Sequence, residues 1–562
     1  MNFTFARFTP VYSILLGAIT LGSCTKEEKA PNILLVVTDD LGYSDLGYFG
    51  SQIETPNIDQ LANNGIVFSQ FYNGARCCPS RASLLTGLYA HQAGIGHMTE
   101  DRGTPAYAGD LSSNAVTIAE VLNQNGYFTA MAGKWHVTCN TSEEGSNKNW
   151  PLQRGFDRFY GTLPGHGSFY DPAGLFDGNT PIKAEGDFYY TEKITDKTKE
   201  FIREAKSHDK PFFMYVAHPA PHYPLHARKK VIEKYRGKFS MGWDQLREQR
   251  YNNLVQKGLI DAKWKLPERD EQSIPWEEEE EKSFQENRME VFAAMIDHVD
   301  QSIGDIIQTL KETGEYENTV IFFLSDNGGS AEGHRDGTIE RWGTPWKSKV
   351  IPERTRNGEK VIAGDFPNLP LGGPATYGSY GVRWANVSNA PFRLHKSWLH
   401  EGGISTPFIM HWPKGLKQTG ITHQVAHIID IMPTVISLTG ATYPKTYKNH
   451  NIPSPEGHNL LGFLINSITL SRTLCWEHEG NRAIRDGKWK LVSEYPGTWS
   501  TVRKYEYEGE WELYDMEKDR TELINLAEQY PEKVKELNEK WQNWAQRVGV
   551  IPWEKLESNA HY

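Results

Sequence analysis

Pro31-Asn32-Ile33-Leu34-Leu35-Val36-Val37-Thr38 is a continuous apolar run rich in β-branched residues. Without polar alternation it reads as a strand buried on both faces, the kind found in parallel sheets. Similar runs recur at Pro211 to Ala217, Val320 to Ser325 and Pro407 to His411, separated by helical patterns such as Ala115 to Asn125 and Val291 to Thr313. This alternation predicts an α/β fold with a large, mainly parallel sheet sandwiched by helices. In such a fold, functional residues lie just past the C-terminal ends of the strands. The main domain is expected over residues 31–460. Beyond it, short alternating segments around Ile484, Leu491 and Leu513 predict an antiparallel sheet. A final helix, Pro531 to Val548, carries apolar Val534, Leu537, Trp541 and Trp544, which makes 461–562 a smaller α+β domain. The charged stretch from Ala227 to Glu290 reads as a solvated helical excursion.

The chain has 562 residues and a formal net charge of −11. No basic arm offsets that charge, so a nucleic-acid partner is not expected. Arg7 precedes an apolar run from Val11 to Leu21, too short to span a bilayer, that ends in Leu21-Gly22-Ser23-Cys24. Residues 1–23 therefore read as a lipoprotein-type signal peptide and 24–30 as a tether, with membrane contact only through a lipid on Cys24. The other reading is an ordinary secretory peptide with an incidental cysteine. Both imply export, to the bacterial periplasm or the cell surface. Of five cysteines, Cys78, Cys139 and Cys475 are left without an assigned role, and one bridge among them stays open.

Cys77-Cys78-Pro79-Ser80-Arg81 through Leu85-Thr86-Gly87 reads as a reactive cysteine at a helix start, with Pro79 at the first helical position and Gly87 as the cap. Such a start suits an anion, and Arg81 adds a guanidinium fork one turn in. On spacing alone, a buried cysteine pair before an ordinary amphipathic helix is the favoured reading. Asp39-Asp40 and Asp326-Asn327 directly follow two predicted strands. Their oxygen-only donors suit a hard cation, Ca²⁺ or Mg²⁺. Lys134 and His136, two apart on an extended segment, should point the same way. Prolines at 221 and 224 hold the backbone around His222. Lys396 lies in Asn389-Ala390-Pro391-Phe392-Arg393-Leu394-His395-Lys396, ahead of His400-Glu401-Gly402-Gly403.

In order, these elements resemble the type I, formylglycine-dependent sulfatases, in their arylsulfatase-like branch and with an alkaline phosphatase-like fold. The resemblance spans Pro31 to about Pro407. It implies that Cys77, two before the proline and four before the arginine, is oxidised to formylglycine (3-oxoalanine) by a maturation enzyme, with Cys78 a bystander. It further implies Asp39, Asp40, Asp326 and Asn327 as ligands of a cation, usually Ca²⁺, with Mg²⁺ second. Arg81 would hold the hydrated aldehyde, Lys134 and Lys396 would neutralise sulfate, His136 would act as base and His222 as acid. The implied reaction is hydrolysis of sulfate monoesters. A phosphate or phosphonate monoester hydrolase is the nearest rival, and a non-catalytic glycan-binding lipoprotein, drawing on 17 tryptophans, is another. Export makes sulfated carbohydrate a more natural substrate than a free sulfated small molecule. The loop from His334 to Lys360 mixes arginine, lysine and tryptophan and is expected to help bind a polyanion. His478, Asn481 and Arg482 are further candidates to face the pocket.

Overall fold

A computed structural model describes residues 1, 29–333, 350–462, 471–495 and 509–557. The signal segment and Cys24 lie outside these residues, as do His334 to Lys349 of the basic loop. The main sheet has ten strands. At its centre the strands Thr319–Ser325, Asn32–Asp39, Phe212–Pro221 and Phe128–Lys134 lie side by side and parallel. Ile33, Leu35 and Val37 pack into one core and Leu34 and Val36 into the other, so the first apolar run is buried on both faces. At about 1.5–3 kcal/mol per buried aliphatic side chain, this alternation fixes the register.

Phe408–His411 departs from the parallel pattern, because it pairs antiparallel with both of its neighbours. Its entry end therefore lies where the other strands exit. That is why Lys396 can precede its strand while other candidate residues follow theirs. The close approach of Gly328 to Gly402 O, 1.9 Å from where a Cβ would stand, brings this entry against Asp326-Asn327.

The stretch from 227 to 290 is not the solvated excursion that its charge predicted. Tyr235, Phe239, Trp243, Trp264 and Trp276 are buried in the second core, and Trp243 meets Trp276 edge-on at 4.6 Å. Arg250 is fully buried on Asp45 at 2.7 Å. A few large aromatics carry that packing and are outvoted in a charge count.

Four antiparallel strands, Thr473–His478, Asn481–Asp486, Trp489–Ser493 and Glu512–Asp515, form the second sheet, against which the Pro531–Val548 helix packs. Its apolar face joins the first core, so one hydrophobic interior runs under both sheets. A buried ionic network fastens them together: Glu401 accepts from Lys490 at 3.0 Å, Arg520 at 2.9 Å and Tyr72 at 2.8 Å. Burial alone would raise the Glu401 carboxyl, but Lys490, Arg520 and Arg485 together pull it down to about 2. A depressed carboxylate contributes stability that is complete above its ordinary value of 4.5 and is lost as pH falls towards about 2. Glu401→Gln should therefore destabilise the protein by about 3–5 kcal/mol near neutral pH. Denaturant titrations should show the gap to wild type narrowing below the ordinary carboxylate range. Equal stability at neutral pH would refute this role.

Candidate active site

The Cys77–Thr86 helix begins at Cys77 itself, with Arg76 as N-cap, two residues earlier than the proline predicted. Pro79 stands at the third helical position, where an N–H would still lack an acceptor within the helix. Gly87 closes the helix in a left-handed conformation, φ +70°, donating to Ser83 O. The whole helix is buried, and Cys77 is only 2% exposed.

Asp39 ends its strand, and Asp40 turns the chain at φ +66°. On the neighbouring strand Ser325 pairs with Thr38, so Asp326 and Asn327 emerge beside them. Asn327 Nδ2 donates to Asp40 Oδ1 at 2.7 Å, and the Asp40 N–H lies 3.4 Å from Asp326 Oδ1. Arg81 Nε donates to Asp326 Oδ2 at 2.8 Å, and a terminal nitrogen of the same guanidinium forms ion pairs at 2.8 Å from that oxygen and 3.6 Å from Asp39 Oδ2. The guanidinium is fully buried and faces these carboxylates. Lys134 Nζ donates to Asp39 Oδ2, and Lys396 Nζ lies 2.9 Å from Asp40 Oδ1. His222 Nε2 is 3.6 Å from Asp40 Oδ2, with its other nitrogen on Tyr223 O at 2.7 Å. The ten candidate side chains thus gather at one end of the sheet.

Lys134 and His136 meet the cluster by a different route from strand alternation. The strand ends at Lys134, and His136 is left-handed at φ +54°. Gly165 leaves room for its ring, since a Cβ there would stand 2.2 Å from the imidazole. His136 Nε2 lies 3.1 Å from Cys78 Sγ, so Cys78 is a direct neighbour of the cluster rather than a bystander. A hydrogen bond from Cys78 holds the Cys77 thiol well below its ordinary value, outweighing burial, and Lys134, His136 and Lys396 act in the same sense. Burial and the Lys134 charge push His136 down to about 4, leaving it neutral and able to accept a proton at neutral pH. Burial would discharge Lys134 and Lys396, but Asp39 and Asp40 respectively keep each ammonium above its ordinary value.

The oxygen-rich group fits a hard cation. Asp39 Oδ1 and Asn327 Oδ1 are buried acceptors with no donor among the described residues. Asp39, Asp40 and His222 bring ligand atoms within 4.8 Å of one another. Burial and the charge of Asp39 raise Asp326 well above its ordinary value despite Arg81 and Lys134. Glu332 adds a fourth carboxylate, accepting from Lys396 at 3.2 Å and from Arg76 at 2.9 Å.

Sequence reasoning missed Glu332, Arg76 and His166. Arg76 was adjacent to the motif, and Glu332 closes the Gly328-Gly329-Ser330 run after the second acidic pair. His166 stacks on His222 with ring centroids 5.7 Å apart and gave no signal beyond its flanking glycines. Of the second-sheet candidates, His478 stacks on His97 at 5.7 Å, and Arg482 lies over Trp511 at 4.5 Å. The turn reaches the cluster instead through Glu479, 3.7 Å from Arg76. His218 and His226, on either side of His222 in the chain, bond to Ser302 Oγ and to Thr376 O. Arg393 bonds to Glu522 O at 2.6 Å, joining the sheets. The four described cysteines are free thiols.

A doubly covered sheet with carboxylates, lysines and a cysteine-headed helix at one end defines an ester hydrolase acting on a compact oxyanion. The Sulfatase family model matches residues 31–441, and the chain belongs to this family of sulfate ester hydrolases. It is 33% identical over 560 residues to an uncharacterized sulfatase of Schizosaccharomyces pombe, covering 93% of this chain and 95% of that protein. It is 32% identical over 454 residues to the arylsulfatase of Klebsiella aerogenes, covering 77% and 91%. Among solved structures, Ps i-CgsB in complex with k-i-k-neocarrahexaose superposes with a TM-score of 0.63 at 23% identity, covering 94% of this chain and 99% of that one. BT4656 in complex with D-glucosamine-2-N,6-O-disulfate gives 0.57 at 22% identity, covering 94% and 100%. These two likenesses show the shared fold.

Proposed function

We propose that the enzyme hydrolyses sulfate monoesters of carbohydrate with a formylglycine made from Cys77 and a Ca²⁺ held by Asp39, Asp40, Asp326 and Asn327. The observation that carries the reading is the pair of donorless buried oxygens, Asp39 Oδ1 and Asn327 Oδ1, beside Lys134, Lys396 and Cys77. Four carboxylates (Asp39, Asp40, Asp326, Glu332) face four cations (Arg76, Arg81, Lys134, Lys396), which leaves no net positive charge to draw sulfate in. A divalent cation held by Asp39, Asp40, Asp326 and Asn327 would give the site a net positive charge and would supply Lewis acidity favouring the oxyanion of a hydroxyl at residue 77.

Arg81 holds Asp326 and Asp39 in place for that cation. Lys134 and Lys396 neutralise the equatorial oxygens of the sulfate. A formylglycine hydrate supplies two hydroxyls on one carbon, one to take sulfate from the ester and a second whose deprotonation expels it. His136, neutral at working pH, accepts that proton. His222, anchored through its other nitrogen, donates to the departing alcohol. His222→Ala should lower kcat by about 10²–10⁴-fold on alkyl or sugar sulfates. The loss should be far smaller on an activated aryl sulfate, whose leaving group needs no proton. Equal losses on both would remove His222 from the acid role.

Sulfated carbohydrate is supported by the sugars bound in the two structures above and by the export expected from residues 1–23. A lipid on Cys24 would keep the enzyme at the membrane or cell surface, and Cys24→Ala should shift it to the soluble fraction. An unchanged membrane fraction would count against the anchor. The reaction class is tested by side-by-side rates on sulfate, phosphate and phosphonate esters of one leaving group. Faster turnover of the phosphorus esters would overturn the sulfatase assignment.

A further inference from the structure

Cys77, Cys78 and His136 form a group whose donors differ in kind from the carboxylates beside it. Their ligand atoms, two thiol sulfurs and an imidazole nitrogen, all lie within 4.8 Å of one another. Cys78 Sγ is 3.1 Å from His136 Nε2. Around a tetrahedral Zn²⁺, Zn–S bonds of about 2.3 Å and a Zn–N bond of about 2.0–2.1 Å set neighbouring ligand atoms roughly 3.6–3.8 Å apart. Shifts of about 1 Å or less therefore convert the group into a zinc-binding geometry.

The backbone keeps the three together. Cys77 and Cys78 are the first two residues of their helix. The His136 N–H is held on Leu163 O at 3.2 Å, and Gly165 leaves the space that its ring fills. Among the described residues, neither Cys139 nor Cys475 belongs to such a group. Donor type then selects the ion. Two thiolates and an imidazole suit Zn²⁺, whereas the neighbouring oxygens of Asp39, Asp40 and Asn327 suit Ca²⁺. Charge agrees with this choice. Two thiolates and one Zn²⁺ sum to zero, so the ion leaves undisturbed the balance of four carboxylates against four cations around it. Three protein ligands leave the fourth position to water.

We propose that the chain whose residue 77 is still cysteine binds Zn²⁺ through Cys77 Sγ, Cys78 Sγ and His136 Nε2. The ion occupies the nucleophile's position and the nitrogen of the base together, and so holds an unmatured chain inactive. Conversion of Cys77 to formylglycine removes one thiolate, so the mature enzyme loses the site; that selectivity rests on the formylglycine reading above. The test uses the full chain produced without a maturation enzyme, with residue 77 verified as cysteine by peptide mass and excess Ca²⁺ present to fill the oxygen ligands. Co²⁺, the spectroscopic stand-in for Zn²⁺, should bind at one equivalent with a near-ultraviolet thiolate-to-metal band, and Zn²⁺ should displace it. Cys78→Ser and His136→Gln, each checked for folding by circular dichroism, should weaken Zn²⁺ binding by at least about 100-fold. Enzyme in which residue 77 is entirely formylglycine should show no band. Absence of the band in the folded unmatured chain, unchanged affinity in either folded variant, or an equal band in the mature enzyme would overturn the proposal. Full activity with residue 77 still cysteine would instead overturn the formylglycine reading and leave the Zn²⁺ site standing.

Discussion

Cys77→Ala should lower sulfate ester turnover by at least about 10⁴-fold, as removal of a covalent nucleophile does. The same variant should fold as well as wild type. Its side chain contributes little apolar area, and the helix it heads is held by Arg81 on Asp326 and by the Gly87 cap. Cys77→Ser should be nearly as inactive, because serine places one hydroxyl where the chemistry requires two on one carbon. Circular dichroism and melting midpoints separate the two effects: lost activity with unchanged midpoints is expected. Near-normal turnover by either variant would dismiss Cys77 as the nucleophile's source.

Removal of divalent cations by a chelator should abolish activity, and Ca²⁺ should restore it. Asp40→Asn should lower kcat/KM by about 10²–10³-fold even at saturating Ca²⁺, with less metal retained after gel filtration. Lys396 would then keep Glu332 at 3.2 Å but lose the carboxylate at 2.9 Å that holds it beside the site. Binding to the folded state alone also predicts a gain in stability of about 2.7 kcal/mol at 100-fold excess over Kd. A chelated enzyme with full activity and an unshifted melting midpoint would rule out the cation.

The sheet was legible because its strands are uniformly apolar, and that pattern has few alternative solutions. Position along the strands then carried most of the site: Asp39, Asp326 and Lys134 lie at or just beyond strand ends that the sheet brings together. Five things escaped for physical reasons. The antiparallel direction of Phe408–His411 is a property of pairing, invisible in one strand's composition. His136 was expected on an extended segment but reaches the site through a left-handed residue, which sequence spacing does not reveal. Glu332, His166 and Glu479 belong to turns whose positions are set by long-range packing. Cys78 was set aside for lack of a motif role, yet it is the donor that lowers the Cys77 thiol. Charge counting failed between 227 and 290, where a few tryptophans outweigh many surface carboxylates.

The central claim is that Cys77 is matured into an aldehyde that the surrounding lysines, histidines and acids are arranged to use. Mass spectrometry of the proteolytic peptide containing Cys77, taken from enzyme of known specific activity, tests it most directly. The account predicts that the peptide carries formylglycine, lighter than the thiol form, in a fraction that rises and falls with specific activity across preparations. A fully active preparation in which residue 77 is entirely unmodified cysteine would contradict it.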